Sequence, residues 1–117
     1  MHLIPALVLT AIAAYALDYV NIRSNMNLYG FLLKNTRILP AVLFYAAYPV
    51  LLYLVVIKPP TGIYSRAALF SLAVYGVYHL TNLATIPEFN VKFSVYDTIW
   101  GILLTLILTR LILYLTD

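Results

Sequence analysis

Four long apolar runs, each broken off by prolines or charges, set the pattern of this chain. They fall at residues 3–22, 40–57, 66–86 and 96–115. Crossing about 30 Å of hydrocarbon at 1.5 Å per residue takes about 20 residues, so each run predicts one transmembrane helix. Pro5 suits the first turn of the first span. The second ends before Lys58-Pro59-Pro60, and Pro49 inside it predicts a kink and a freed Tyr45 carbonyl. Thr61-Gly62 signals a tight turn, and Pro87 stops the third span. Asp97 is expected to open the fourth, where a carboxylate suits the positive end of the helix dipole. Residues 23–39 are polar at both ends and too short to span, so a short interfacial helix or a partly buried loop is expected there. The fold class that follows is all-α: a single-domain membrane four-helix bundle over residues 1–117, without internal repeats.

Composition agrees. The 117 residues are 64% hydrophobic and 9% charged, with a mean hydropathy of +0.95. A water-soluble fold of this size would need polar surface that the chain lacks. Ala14-Tyr15-Ala16 has the form of a signal-peptide cleavage site, but a charged leader is missing and Asp18 follows, so an uncleaved first span is expected. The net charge of +3 comes from seven Lys and Arg that mostly flank the runs, reading as topology determinants rather than a nucleic-acid patch. Loops one and three hold Arg23, Lys34, Arg37 and Lys92, against Lys58 and Arg66 on the other side. That balance predicts cytoplasmic loops one and three and external termini. With no cysteine, thiolate chemistry is excluded.

The polar residues inside the runs carry the interest. Within residues 75–85, Tyr75, Tyr78, His79, Asn82 and Thr85 follow helical spacing and give the third span one polar face. In the first span Thr10, Ala14 and Asp18 share a face, with Asn21 close to it, so a neighbouring helix can approach along small residues and meet a carboxylate. Counting from the side of loops one and three, Asp18 and Asn82 lie about 6 Å deep, the Tyr45 carbonyl about 7 Å, His79 about 10 Å and Asp97 about 3 Å. All four helices thus bring polar groups to one level. Thr10, Ser71 and Thr105 occupy the opposite half and can bond their own backbone carbonyls. The expected site is a polar pocket open toward loops one and three, with Tyr48, Tyr78 and Trp100 as walls. An Asp18 or Asp97 carboxylate beside His79 would make a proton-accepting pair near neutral pH. One inward histidine and two carboxylates do not demand a metal, and no phosphate loop, serine nucleophile motif or potassium filter is present, so no cofactor is implied. Tyr19, Tyr53, Tyr64, Tyr96 and Tyr114 fall where aromatic belts belong.

Leu43-Phe44-Tyr45-Ala46-Ala47-Tyr48, Tyr78-His79-Leu80-Thr81-Asn82-Leu83-Ala84-Thr85 and Asp97-Thr98-Ile99-Trp100-Gly101, together with Asp18 late in the first span, carry a family resemblance over most of the chain. The sequence resembles the small four-span membrane proteins catalogued as domain of unknown function 2177. That family usually has aspartate where this chain has His79, which leaves a titratable group in place. The resemblance implies a membrane protein and lends no activity.

Three functions are compatible with these residues. The first is a pocket for a small polar or lipid-like ligand or a proton-coupled substrate, with Asp18 and His79 supplying charge, Asn82 and Thr85 orientation, and Trp100 a stacking wall. The second is a structural subunit whose polar groups lock the bundle to itself, to a second copy or to partner helices. The third is a membrane enzyme acting on a lipid-like substrate with His79 or Asp18 as base.

Overall fold

In a computed structural model, the backbone of all 117 residues and every side chain except that of Asn35 are described. Helix α1 spans Leu3–Ser24, α2 is a single turn at Met26–Tyr29, α3 spans Ile38–Leu52 and runs on as a π turn through Tyr53–Ile57, α4 spans Ile63–Thr85 and α5 spans Val91–Thr116. There is no strand among the described residues. All four long segments are long and apolar enough to cross a membrane.

The helix ends follow local chemistry. Gly62, at φ 70°, takes the left-handed conformation that turns the chain from the double proline into α4. Ile86 is extended, as a residue before proline tends to be, and α4 stops there. The fourth span starts earlier than its apolar run suggests. Asn90, not Asp97, is the cap: its Oδ1 accepts from the Phe93 N–H at 2.8 Å, and α5 already runs from Val91. Asp97 therefore sits in the second turn, free to work between helices.

Helix α5 is the central element, packed on α4 and α1, while α3 packs on α1 and meets α4 and α5 through its π turn. In that turn the Lys58 N–H reaches back to the Tyr53 carbonyl at 2.9 Å. Arg66 secures this junction. Its Nε and Nη2 donate to the Val56 carbonyl at 3.1 and 2.9 Å, and Nη2 donates to the Pro59 carbonyl at 2.7 Å. The sequence reading treats Arg66 only as a flanking charge; it is a side-chain cap for the end of the second span.

The apolar core lies toward this end, built from Leu52, Val56, Ala67, Leu104, Leu108 and Ile112. On α1 the buried positions are Ala6, Thr10, Ala14 and Asn21; of the face expected to carry Thr10, Ala14 and Asp18, Asp18 is partly exposed. Thr10 donates to the Ala6 carbonyl, Ser71 to those of Ala67 and Ala68, and Thr105 to that of Gly101, so the hydroxyls in this half use local backbone. Tyr48 belongs to the same core and joins α3 to α4: its ring lies 5.8 Å from Phe70 and 6.4 Å from Tyr75.

Candidate functional site

Two carboxylates from different helices anchor the end of the bundle near loops one and three. Asp18, late in α1, accepts at both oxygens: from the Tyr45 hydroxyl of α3 at 2.5 Å and from the Trp100 indole of α5 at 2.7 Å. The Tyr45 hydroxyl, rather than the freed carbonyl expected above Pro49, is the group brought to the site. Trp100 is likewise a donor here and does not line the cavity as a stacking wall.

Asp97 forms the second anchor. One oxygen lies 2.6 Å from His79 Nε2, and the other accepts from the Tyr29 hydroxyl at 2.6 Å. The His79 side chain is 3% exposed and that of Asp97 15%. With Asp97 ionised, Nε2 carries the proton and donates. Among the described residues Nδ1 has no partner, and the ring is surrounded by Tyr78, Phe89 and Phe93 at 5.0, 6.1 and 5.3 Å. An unpaired lone pair is less costly among aromatic rings than an unpaired N–H, which fixes this tautomer. Of the two carboxylates offered by the sequence, His79 pairs with Asp97; Asp18 is held by other donors.

Tyr29 is the residue that sequence reasoning missed. It belongs to the short helix α2, expected to be interfacial, yet it is 4% exposed. Its ring packs edge-on against Phe93 at 5.0 Å and Tyr96 at 6.2 Å. Asn21 Nδ2 donates to the Tyr29 oxygen at 3.0 Å, and the Tyr96 hydroxyl donates to Asn21 Oδ1 at 2.8 Å. Tyr96, placed in an aromatic belt from sequence, thus starts a chain of hydrogen bonds running through Asn21 and Tyr29 to Asp97, in which each bond polarises the next. Burial first, and the Asp97 carboxylate next, push the Tyr29 hydroxyl above the ordinary tyrosine pKa, so it stays protonated and donating. The signal available in sequence was two aromatic residues, Tyr29 and Phe31, within a short apolar stretch between polar ends, which does not distinguish a lipid anchor from a plug.

Between the N-terminal half of α3 and α4 lies a cavity of about 530 Å³. Asp18 and Asp97 both line it, Tyr29 and Ile22 close it on the α1–α2 side, and Phe44, Tyr75 and Tyr78 supply aromatic walls. Tyr78 is half exposed. The remaining residues expected at the site are elsewhere. Tyr48 is buried and donates to Thr105 Oγ1 at 2.8 Å, since that hydroxyl's own proton goes to the Gly101 carbonyl. Thr85 is exposed and donates to the Thr81 carbonyl. Asn82 is partly exposed and does not line the cavity.

The family model described as predicted membrane protein (DUF2177) matches residues 1–114. The chain belongs to the DUF2177 family. No curated protein and no solved structure matches it. The DUF2177 match takes in α1 through nearly all of α5 and therefore every residue of the cavity. In this DUF2177 chain His79 is buried and engaged by Asp97, and it ties α4 to α5 directly beside the cavity.

Proposed function

We propose that this protein holds a small polar or lipid-like molecule, or a proton-coupled substrate, in the cavity between α3 and α4. One observation carries the reading: two carboxylates from α1 and α5 line a single cavity of about 530 Å³ whose other walls are apolar and aromatic. That volume falls within the range of small-molecule sites, and apolar walls with a few convergent polar groups are their usual make-up. A carboxylate at depth in a bilayer costs at least ~2.5 kcal/mol, and bundle cohesion alone could be supplied more cheaply by hydroxyls and amides. The buried His79–Asp97 pair stands directly beside this cavity and ties α4 to α5 there. The charge balance of the loops supports a cavity mouth on the cytoplasmic side.

The test is native mass spectrometry of protein extracted in its own lipid, comparing wild type with Asp18→Asn and His79→Ala. Asp18→Asn removes a charge from the cavity wall; His79→Ala removes one of the two donors that orient Asp97. A bound small mass in the wild type, lost in both folded variants, is the expected result. Its conversion to a product would favour the enzyme reading. Co-purifying membrane proteins with no small mass would instead make this an accessory subunit and end the proposal.

A further inference from the structure

We infer that the cavity accepts an ammonium group, and that a hydrocarbon chain attached to it runs along the groove between α1 and α3; this rests on the cavity being a ligand site. The argument starts from the donors. Tyr45, Trp100, Tyr29 and His79 Nε2 all aim their protons at Asp18 or Asp97. Each carboxylate oxygen so engaged keeps a lone pair, so the site presents acceptors and negative charge. Among the described residues neither lysine nor arginine lines the cavity. An anionic head group would meet two carboxylates there, whereas an ammonium supplies both the missing charge and the missing donors. Phe44, Tyr75 and Tyr78 line the cavity with aromatic side chains, the residue type that attracts alkylammonium groups.

The chain follows from a stripe on α1. Val8, Ala11 and Tyr15 line an apolar groove of about 560 Å³ shared with α3, and Asp18 and Ile22 continue the same three- and four-residue spacing into the cavity. Tyr45 stands between the two: it lines the groove, and its hydroxyl is bonded to Asp18, which lines the cavity. From Ile4 to Asp18 the stripe is about 21 Å long, enough for a fatty chain lying along it with its head at the carboxylates. A membrane lipid with an amine head and a free long-chain amine share this chemistry.

The chain's single tryptophan, Trp100, donates to Asp18 and reports occupancy through that hydrogen bond. The full-length protein in phosphatidylglycerol nanodiscs is titrated with tetradecyltrimethylammonium, tetramethylammonium, tetradecyl maltoside and tetradecyl sulfate while Trp100 emission is followed. Saturable binding of the long-chain ammonium at least about tenfold tighter than the neutral and anionic chains is expected, weakened about tenfold or more by Asp18→Asn or Asp97→Asn. On the exposed wall, Tyr78→Leu weakens it about threefold and Tyr78→Phe does not, since the ring face is what attracts the cation. Ala46→Phe, at an exposed position in the groove, weakens the long-chain ammonium and spares tetramethylammonium. Displacement by added phosphatidylethanolamine identifies a membrane lipid as the natural source; displacement by tetradecylamine alone identifies a free amine. Equal or tighter binding of the maltoside overturns the ammonium assignment and leaves the ligand site standing. Equal binding of both ammonium ions, unaffected by Ala46→Phe, overturns the groove. No saturable response to any probe, with no small mass retained by the native protein, overturns the site as well.

Discussion

Gly101→Ala tests the packing on which the cavity depends. At Gly101 α5 comes against the ring of Tyr75 on α4, and a Cβ added there would lie 2.5 Å from each of Tyr75 Cγ, Cδ1 and Cδ2. Carbon atoms in good contact stay about 3.5–4.0 Å apart, so the two helices or the ring must give by roughly 1 Å. The ring has little room to do so, because Cγ is fixed close to the backbone. Overpacking of this kind costs about 1–3 kcal/mol, and alanine returns up to about 1 kcal/mol through its better helix propensity. With three ring atoms at 2.5 Å the cost falls in the upper part of that range, so the expected net loss is about 1–2 kcal/mol, with Tyr75 displaced toward the cavity it lines. Reversible unfolding in mixed micelles, followed by Trp100 emission, measures the loss. In a double-mutant cycle Tyr75→Ala should absorb it, so that the double variant is no less stable than Tyr75→Ala alone. Were Gly101→Ala as stable as wild type, or its cost unchanged in the Tyr75→Ala background, the close approach would not be limiting the bundle and the reasoning would fail.

Three further outcomes are expected. Arg66→Lys loses the planar fork that holds the Val56 and Pro59 carbonyls and should destabilise the fold by about 1.5–3 kcal/mol, with faster amide exchange around Lys58; exchange rates equal to wild type would contradict the capping role. Because the Tyr29 hydroxyl is raised above its unfolded value of about 10, its contribution is intact below pH 10 and is lost as pH climbs through the folded value. Stability measured across that window should fall more steeply in wild type than in Tyr29→Phe, and parallel slopes would count against the buried bridge. Asn90→Ala should cost about 1 kcal/mol of helix stability and raise exchange at the Phe93 amide, whereas Asp97→Asn should leave that amide protected.

Much of this architecture was legible in one dimension. Run lengths and proline positions locate four helices because a bilayer-length helix needs a fixed number of residues, and the level shared by Asp18, His79 and Asp97 follows from a constant rise per residue. Their pairing did not follow. Successive residues turn about 100° around a helix axis, and what fixes that rotation is packing against neighbours, such as Tyr75 lying on Gly101. Hence depth alone could not choose between Asp18 and Asp97 as the partner of His79, nor show that Tyr48 faces Thr105 and Thr85 faces outward.

The helix start at Asn90 was hidden by Asp97, a carboxylate that reads as a helix opener about two turns later. Tyr29 was hidden because burial of a short segment is a property of what it packs on, here Phe93 and Tyr96, more than sixty residues away in the chain. The sequence by itself determined the membrane class, the number of helices and the level at which charge is held, since these depend on hydropathy and length. Only the tertiary structure decided which groups neutralise that charge and where a cavity remains, because hydrogen bonds and voids depend on helix rotation and distance, which no single helix can set.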